Sequence, residues 1–372
     1  MFPPTFYIAV TNHGFGHAVR AACVAAQIRQ ICPESVLILV TTAPRWLLES
    51  YIPGNFILRP RSFDVGVIQS DSLTMDKVAT LEKLNYIRQK QPSIIASEVS
   101  FIQQNRVDLI LADIPPLAAP IAKAAGIPGL MMSNFGWDFI YRDWGEEFID
   151  IADWISDCFG QCDTLFRLPL HEPMSAFPHI IDVGLTGGNP QYNLDQLKAD
   201  FKIQTPSEKT ILLTFGGLSL AEIPYHNLAN FPDFTFITFD KNAPNIPNLI
   251  RVKHQIQQNQ HKTDYSHIRP VDFMLLCGRI ISKPGFSTYA EALRLDIPII
   301  SLSRQGFAEA PILEAGLQNY SYHQIISPAD FYEGNWGFIK QPMHPPRLSE
   351  RLDKNGNETI AKAVVDLFKS SN

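Results

Sequence analysis

The feature that most restricts what this chain can fold into is an apolar, β-rich run that ends in a glycine turn and passes directly into an amphipathic helix. Thr5 to Thr11 (TFYIAVT) leads through NHGFGH into a stretch where Ala18, Ala21, Ala22, Val24, Ala25, Ile28 and Ile31 recur at three- and four-residue intervals. A second strand, Val36 to Thr42, completes a βαβ unit. The rhythm returns at DLILAD (Asp108 to Asp113), which passes Pro115 and Pro116 into the helical LAAPIAKAAG, ended by Gly126 and Pro128 before the strand Leu130 to Ser133. It returns again at Thr210 to Leu213 before TFGGLS, at Phe234 to Phe239, and at Arg279 to Ser282 before KPGFSTYAEALR and IPIISLS. Alternation of this kind predicts mostly parallel sheets covered by helices on both faces, an α/β doubly wound fold.

A chain of 372 residues is longer than one compact domain needs, so two are expected. Between Ile180 and Gln204 the texture changes, since VGLTGGNPQ gathers Gly, Asn and Pro ahead of a polar stretch. The expected division is a first domain over 1–183, a linker over 184–205, a second domain over 206–345, and a C-terminal stretch over 346–372. In that last stretch Glu358 to Phe368 reads as a helix, with Ile360, Ala363, Val364 and Leu367 on one face to pack back across the junction. Pro270 is expected to open a short helix that Gly278 stops in the left-handed conformation.

Composition removes several classes of function. With 45% hydrophobic and 18% charged residues the chain is ordinary for a folded protein, and its net charge of -6 argues against nucleic acid as a partner. Its five cysteines are odd in number and lack paired CxxC spacing; Cys158 and Cys162, at i, i+4, have no matching His or Cys pair. Buried thiols and a reducing cytoplasm are expected, with no metal. No apolar run reaches the roughly 18 residues of a membrane span, which leaves peripheral membrane contact at most. Met1 to Pro4 runs into the first strand with neither a basic region nor a cleavage site, so no export is expected.

HGFGHAVR (His13 to Arg20) follows the first strand, where doubly wound sheets bind ligands. It is a poor dinucleotide fingerprint: Val19 fills the third glycine position and the second strand ends in VTTAP without a ribose-binding acid, so a nicotinamide cofactor is rejected. His17, at the start of a helix, reads either as a general base or as a helix-capping group, and His13 as its supporting neighbour on the acceptor-binding side. SKPGFSTYAE (Ser282 to Glu291) offers an anion site, with amides after Gly285 and the hydroxyls of Ser287 and Thr288 for a diphosphate and Glu291 for ribose. The plainer alternative is a capped helix with a solvated Glu. TFGGLS (Thr214 to Ser219) is a third glycine turn; three such turns over two domains point to one ligand in a cleft. In SNFGWDFIYRDW (Ser133 to Trp144), Asn134, Trp137 and Asp138 suit an acceptor's apolar faces and hydroxyls, although such clusters are often core. Asp113 ends its strand where it either reaches the cleft or caps the next helix.

At these residues the sequence resembles the GT-B glycosyltransferases, notably the group containing the peptidoglycan N-acetylglucosaminyltransferase. Gly16 and His17 match the first-domain signature; Phe215, Gly216 and Gly217 match the second-domain opening; Gly285, Thr288 and Glu291 match the donor motif. HGFGHAVR and SNFGWDFIY also resemble the glycosyltransferase-like N-terminal region of L-arabinokinases. The kinase half of those proteins needs a further phosphate loop, so no sugar kinase is expected. The resemblance implies two Rossmann-like domains across a cleft, and a hexosyltransferase-like activity moving a sugar from a nucleotide-diphosphate sugar, UDP-sugar being the expected donor, to an unidentified acceptor hydroxyl. No cofactor is implied. It places Glu291 on ribose, Gly285, Ser287 and Thr288 on the diphosphate with Lys283, the backbone near Ile268 on the base, Glu309 on the transferred sugar, and His17 as base, with inversion and without metal. Pro284 and Phe286 depart from the small or polar residues often seen there. The alternatives are an epimerase or hydrolase of the same fold, or a noncatalytic nucleotide-sugar-binding module.

Overall fold

The structure is a computed structural model that describes residues 2–69, 75–216, 223–258 and 263–371. It contains two sheets in which every strand pair is parallel. The first comprises β1 (Thr5–Val10), β2 (Val36–Val40), β3 (Ile57–Arg59), β4 (Leu109–Asp113), β5 (Gly129–Ser133), β6 (Thr164–Arg167) and β7 (Ile180–Asp182), in the order β3-β2-β1-β4-β5-β6-β7. The second comprises β8 (Thr210–Leu213), β9 (Thr235–Thr238), β10 (Leu249–Arg251), β11 (Arg279–Ser282), β12 (Ile299–Leu302) and β13 (His323–Ile326), in the order β10-β9-β8-β11-β12-β13.

Each order reverses once, between β1 and β4 in the first sheet and between β8 and β11 in the second. Helices leave in opposite directions at such a point, opening a crevice beyond the carboxyl ends of the strands. Register fixes what stands there: Val10 lies beside Asp113, so the loop after β1 and the last residue of β4 are neighbours although far apart in sequence.

The Gly16–Ile31 helix joins the halves. Its buried Ala21, Ala22 and Val24 share one apolar cluster with Tyr289 and Ala290 of the Phe286–Arg294 helix and with Val364 and Val365 of the Gly356–Ser371 helix. It packs against both of those helices. Separate clusters lie on the other face of each sheet.

Local signals explain most of these elements. Gly126 adopts φ 70° and its N–H closes on the carbonyls of Ala122 and Lys123, ending the Ala118–Ala125 helix. Pro270 is the first residue of the Pro270–Met274 helix, where its missing N–H costs nothing. Gly278 departs from expectation: it has no positive φ and is required instead by close approach, since a Cβ there would lie 2.7 Å from the Ser207 carbonyl. The polar stretch 184–205 contains the Leu194–Asp200 helix, capped by the Asn193 side chain. All five cysteines are free and buried. No helix among the described residues is long and apolar enough to cross a membrane.

Candidate functional site

The two crevices face one another around a cavity of about 570 Å³. From the first domain His13, Gly16 and His17 line it; Gly217 lies outside the described residues, but Gly216 lines the opposite wall, in the turn that follows β8. Ile268 and Lys283 are on that wall, together with Gly285, Ser287, Thr288 and Glu291 of the turn and helix after β11. Glu309, first residue of the Glu309–Tyr320 helix, completes the set.

Glycines shape the first-domain loop. Gly14 turns it at φ 61°, and Gly66, at φ 59°, lets a neighbouring loop approach so closely that a Cβ would lie 2.5 Å from that of His13. His13 thereby accepts the Val67 N–H at Nδ1, 3.3 Å away. Burial first, then the nearby His17, Arg304 and Lys283, lower its pKa to about 3, so its ring is neutral at physiological pH.

Behind His17 sits a fully buried ionic cluster. Its Nδ1 lies 2.9 Å from Asp113 Oδ1, while Arg20 grips the same carboxylate through Nε at 2.5 Å and Nη2 at 2.6 Å. Burial alone would raise the Asp113 carboxyl; Arg20 and then His17 outweigh it and hold it below the usual range. Hydrogen counting assigns the tautomer. Arg20 Nη2 is also 2.9 Å from His17 Nδ1, but its two hydrogens are met by Asp113 Oδ1 and by Ser133 Oγ at 3.0 Å. Nδ1 therefore carries a hydrogen and donates to Asp113, so that in the neutral ring the lone pair belongs to Nε2. A neutral imidazole with a bare Nε2 at a cavity wall is equipped to take a proton.

The opposite wall suits an anion. The Phe286–Arg294 helix begins after Gly285 without a side-chain cap, so its first N–H groups have no intrahelical acceptor. Lys283 stands beside this helix end, its pKa lowered to about 8 by burial and then by Arg304. Ser287 spends its hydroxyl hydrogen across the cleft, donating to the Gly16 carbonyl at 2.7 Å, and only its oxygen lone pairs remain for a ligand. Glu291 accepts the Gly188 N–H at 3.0 Å and lies 3.5 Å from the Tyr51 hydroxyl; burial lifts its pKa to about 7.

Four residues expected at the acceptor stand elsewhere. Asp113 is 0% exposed and is committed to Arg20 and His17. Asn134 uses both ends of its amide, accepting from Arg20 Nη1 and donating to Glu309 Oε1, each at 2.7 Å. Trp137 is also 0% exposed and forms a wall behind the histidines, its Nε1 donating to Thr11 Oγ1. Asp138 accepts from Ser156 Oγ and does not line the cavity. Sequence reading missed Arg20, which sits inside the HGFGHAVR motif, and Trp46, Tyr51, Arg269 and Arg304 on the cavity wall. Among the described residues no three His, Cys, Asp or Glu are grouped to hold a metal ion.

No family model matches the chain. It is 28% identical over 345 residues to an L-arabinokinase of Arabidopsis thaliana, a match covering 89% of this chain but 31% of that protein, so the chain spans about a third of its relative's length. Among solved structures it is similar to a glycotransferase of kitacinnamycin, at 13% identity and a TM-score of 0.62 over 98% of this chain and 99% of the other. It is also similar to a Medicago truncatula UGT complexed with UDP-glucose, at 12% identity and a TM-score of 0.55 over 98% and 90%. A third, Phytolacca americana UGT2 complexed with UDP-2fluoro-glucose and pterostilbene, gives 14% and 0.53 over 98% and 90%.

Proposed function

We propose that this chain, whose fold is GT-B, is a hexosyltransferase-like enzyme that moves a sugar from a nucleotide-diphosphate sugar, a UDP-sugar, to an acceptor hydroxyl. The observation that carries the proposal is the opposition, across one cavity, of an oriented imidazole and an uncapped helix N-terminus flanked by a lysine. The first is a base, the second a site for a leaving diphosphate.

In the reaction, His17 Nε2 takes the acceptor hydroxyl proton as that oxygen forms its bond to the anomeric carbon. The bond from that carbon to the diphosphate oxygen breaks on the opposite face, so configuration inverts. Asp113 steadies the imidazolium that forms. Charge on the departing diphosphate is met by the helix-end amides and Lys283, without a metal ion. Glu291 holds ribose hydroxyls, the backbone at Ile268 the base, and Glu309 the transferred sugar. Five buried, unpaired thiols suit a reducing cytoplasm.

Mass spectrometry of products from UDP-sugars, with and without an acceptor panel, tests this. Glycosylated acceptor with UDP release is expected. Rapid conversion of donor alone to an epimer or free sugar would instead favour the epimerase or hydrolase reading, and no turnover with intact nucleotide binding would favour the noncatalytic module.

A further inference from the structure

Among the described residues, Arg304 alone combines two properties: it lines the cavity, and two of its buried nitrogens, Nε and Nη2, have no hydrogen-bond partner. It lies in the loop between β12 and the Glu309–Tyr320 helix. Its position is set by stacking, with the guanidinium 4.5 Å from the centre of the Phe307 ring, which lies nearly parallel to His13 at 6.0 Å. No carboxylate among the described residues forms an ion pair with it. Glu309 accepts from Asn134 through Oε1 and makes no hydrogen bond to Arg304, and Glu314 accepts the backbone N–H of Arg304 rather than its side chain.

A guanidinium taken out of water with its donors unmet is costly, and the cost is recovered when an anion meets the fork. The diphosphate already has a cradle in the Phe286–Arg294 helix end and Lys283. Arg304 stacks on the Phe307 ring beside His13, within electrostatic reach both of Lys283 and of Glu309, the residue assigned above to the transferred sugar. A planar fork of this kind matches a carboxylate through two parallel hydrogen bonds.

We infer that Arg304 binds a carboxylate carried by the transferred sugar, so that the donor is a nucleotide-linked uronic acid rather than a neutral hexose. The inference rests on the donor reading above and narrows it. Calorimetric titration of the full chain with UDP, UDP-glucose and UDP-glucuronate tests both. The wild type is expected to bind the glucuronate at least about tenfold tighter than the glucose conjugate, and Arg304→Gln to lose that margin while UDP affinity stays within about twofold. Equal wild-type affinity for the two conjugates overturns the inference and leaves the donor reading standing. A parallel loss of all three ligands in Arg304→Gln assigns the residue to the diphosphate and overturns it as well. Failure of the wild type to bind any of the three removes the UDP-sugar reading, and the inference with it.

Discussion

Asp113→Asn separates the two duties of one buried carboxylate. In the wild type Asp113 neutralises Arg20 and orients His17, and both partners are almost wholly buried. Asparagine keeps the size and one acceptor oxygen but removes the charge. Arg20 then retains only neutral oxygens, those of Asn134, Ser133 and the substituted side chain, and an uncompensated buried cation costs about 3–5 kcal/mol of folding stability. His17 loses the anion that stabilises its protonated form, which is expected to slow transfer about 100-fold or more. Urea unfolding reads the first effect and turnover at saturating donor the second. A third comparison isolates the coupling. Because Asp113 acts on the reaction through His17, the double variant His17→Ala, Asp113→Asn should be no slower than His17→Ala alone. Transfer within about twofold of wild type in a destabilised Asp113→Asn would refute the catalytic half of the argument. A stability change under about 1 kcal/mol would refute the buried-pair half.

Two further outcomes follow from the geometry. Glu291 has a folded pKa of about 7, above the value near 4.3 of an unfolded glutamate, so the unfolded chain gives up this proton first and stability falls as pH rises between the two values. Ribose hydroxyls donate to the ionised form, which raises donor affinity from about pH 6 to pH 8, while Lys283, with a pKa of about 8, loses charge over the upper part of that range and lowers it; wild-type affinity should therefore rise relative to that of Glu291→Gln across the range, and parallel pH responses in the two proteins would remove Glu291 from the ribose site. At Gly66 a methyl group meets both a positive φ and the His13 Cβ at 2.5 Å, so Gly66→Ala should lose about 2 kcal/mol or more in urea unfolding, and an unchanged midpoint would contradict the packing described.

Legibility in the sequence followed the range of each interaction. The strand, glycine turn and helix of HGFGHAVR and SKPGFSTYAE are local, so backbone geometry and burial pattern appear in consecutive residues; the cavity wall at Gly16, His17, Gly285 and Glu291 was therefore visible. The partner of His17 was not, because Asp113 reaches it through the pairing of β1 with β4. The pairing of β4 with β5 in turn brings Ser133 and Asn134 to Arg20, beside that carboxylate, so Asn134 is engaged there rather than in the cavity. Arg304 had no periodic signal at all, lying in a loop and oriented by a ring three residues on. The 28-residue Lys77–Gln104 helix escaped notice because it buries few side chains and carries Pro92 inside.

The central claim is that the Phe286–Arg294 helix end holds a nucleoside diphosphate, and occlusion at Gly285 tests it most directly. Gly285 has an extended backbone, φ -171°, and a Cβ there would have only the Lys283 carbonyl within reach, at 4.0 Å, so Gly285→Trp can fill the cradle without backbone strain. Calorimetry of both proteins with UDP, GDP, dTDP, ADP and CMP should show one nucleotide binding the wild type at one site and failing to bind the variant, whose melting temperature is retained. Undiminished binding to Gly285→Trp, or none to the wild type, would contradict the account.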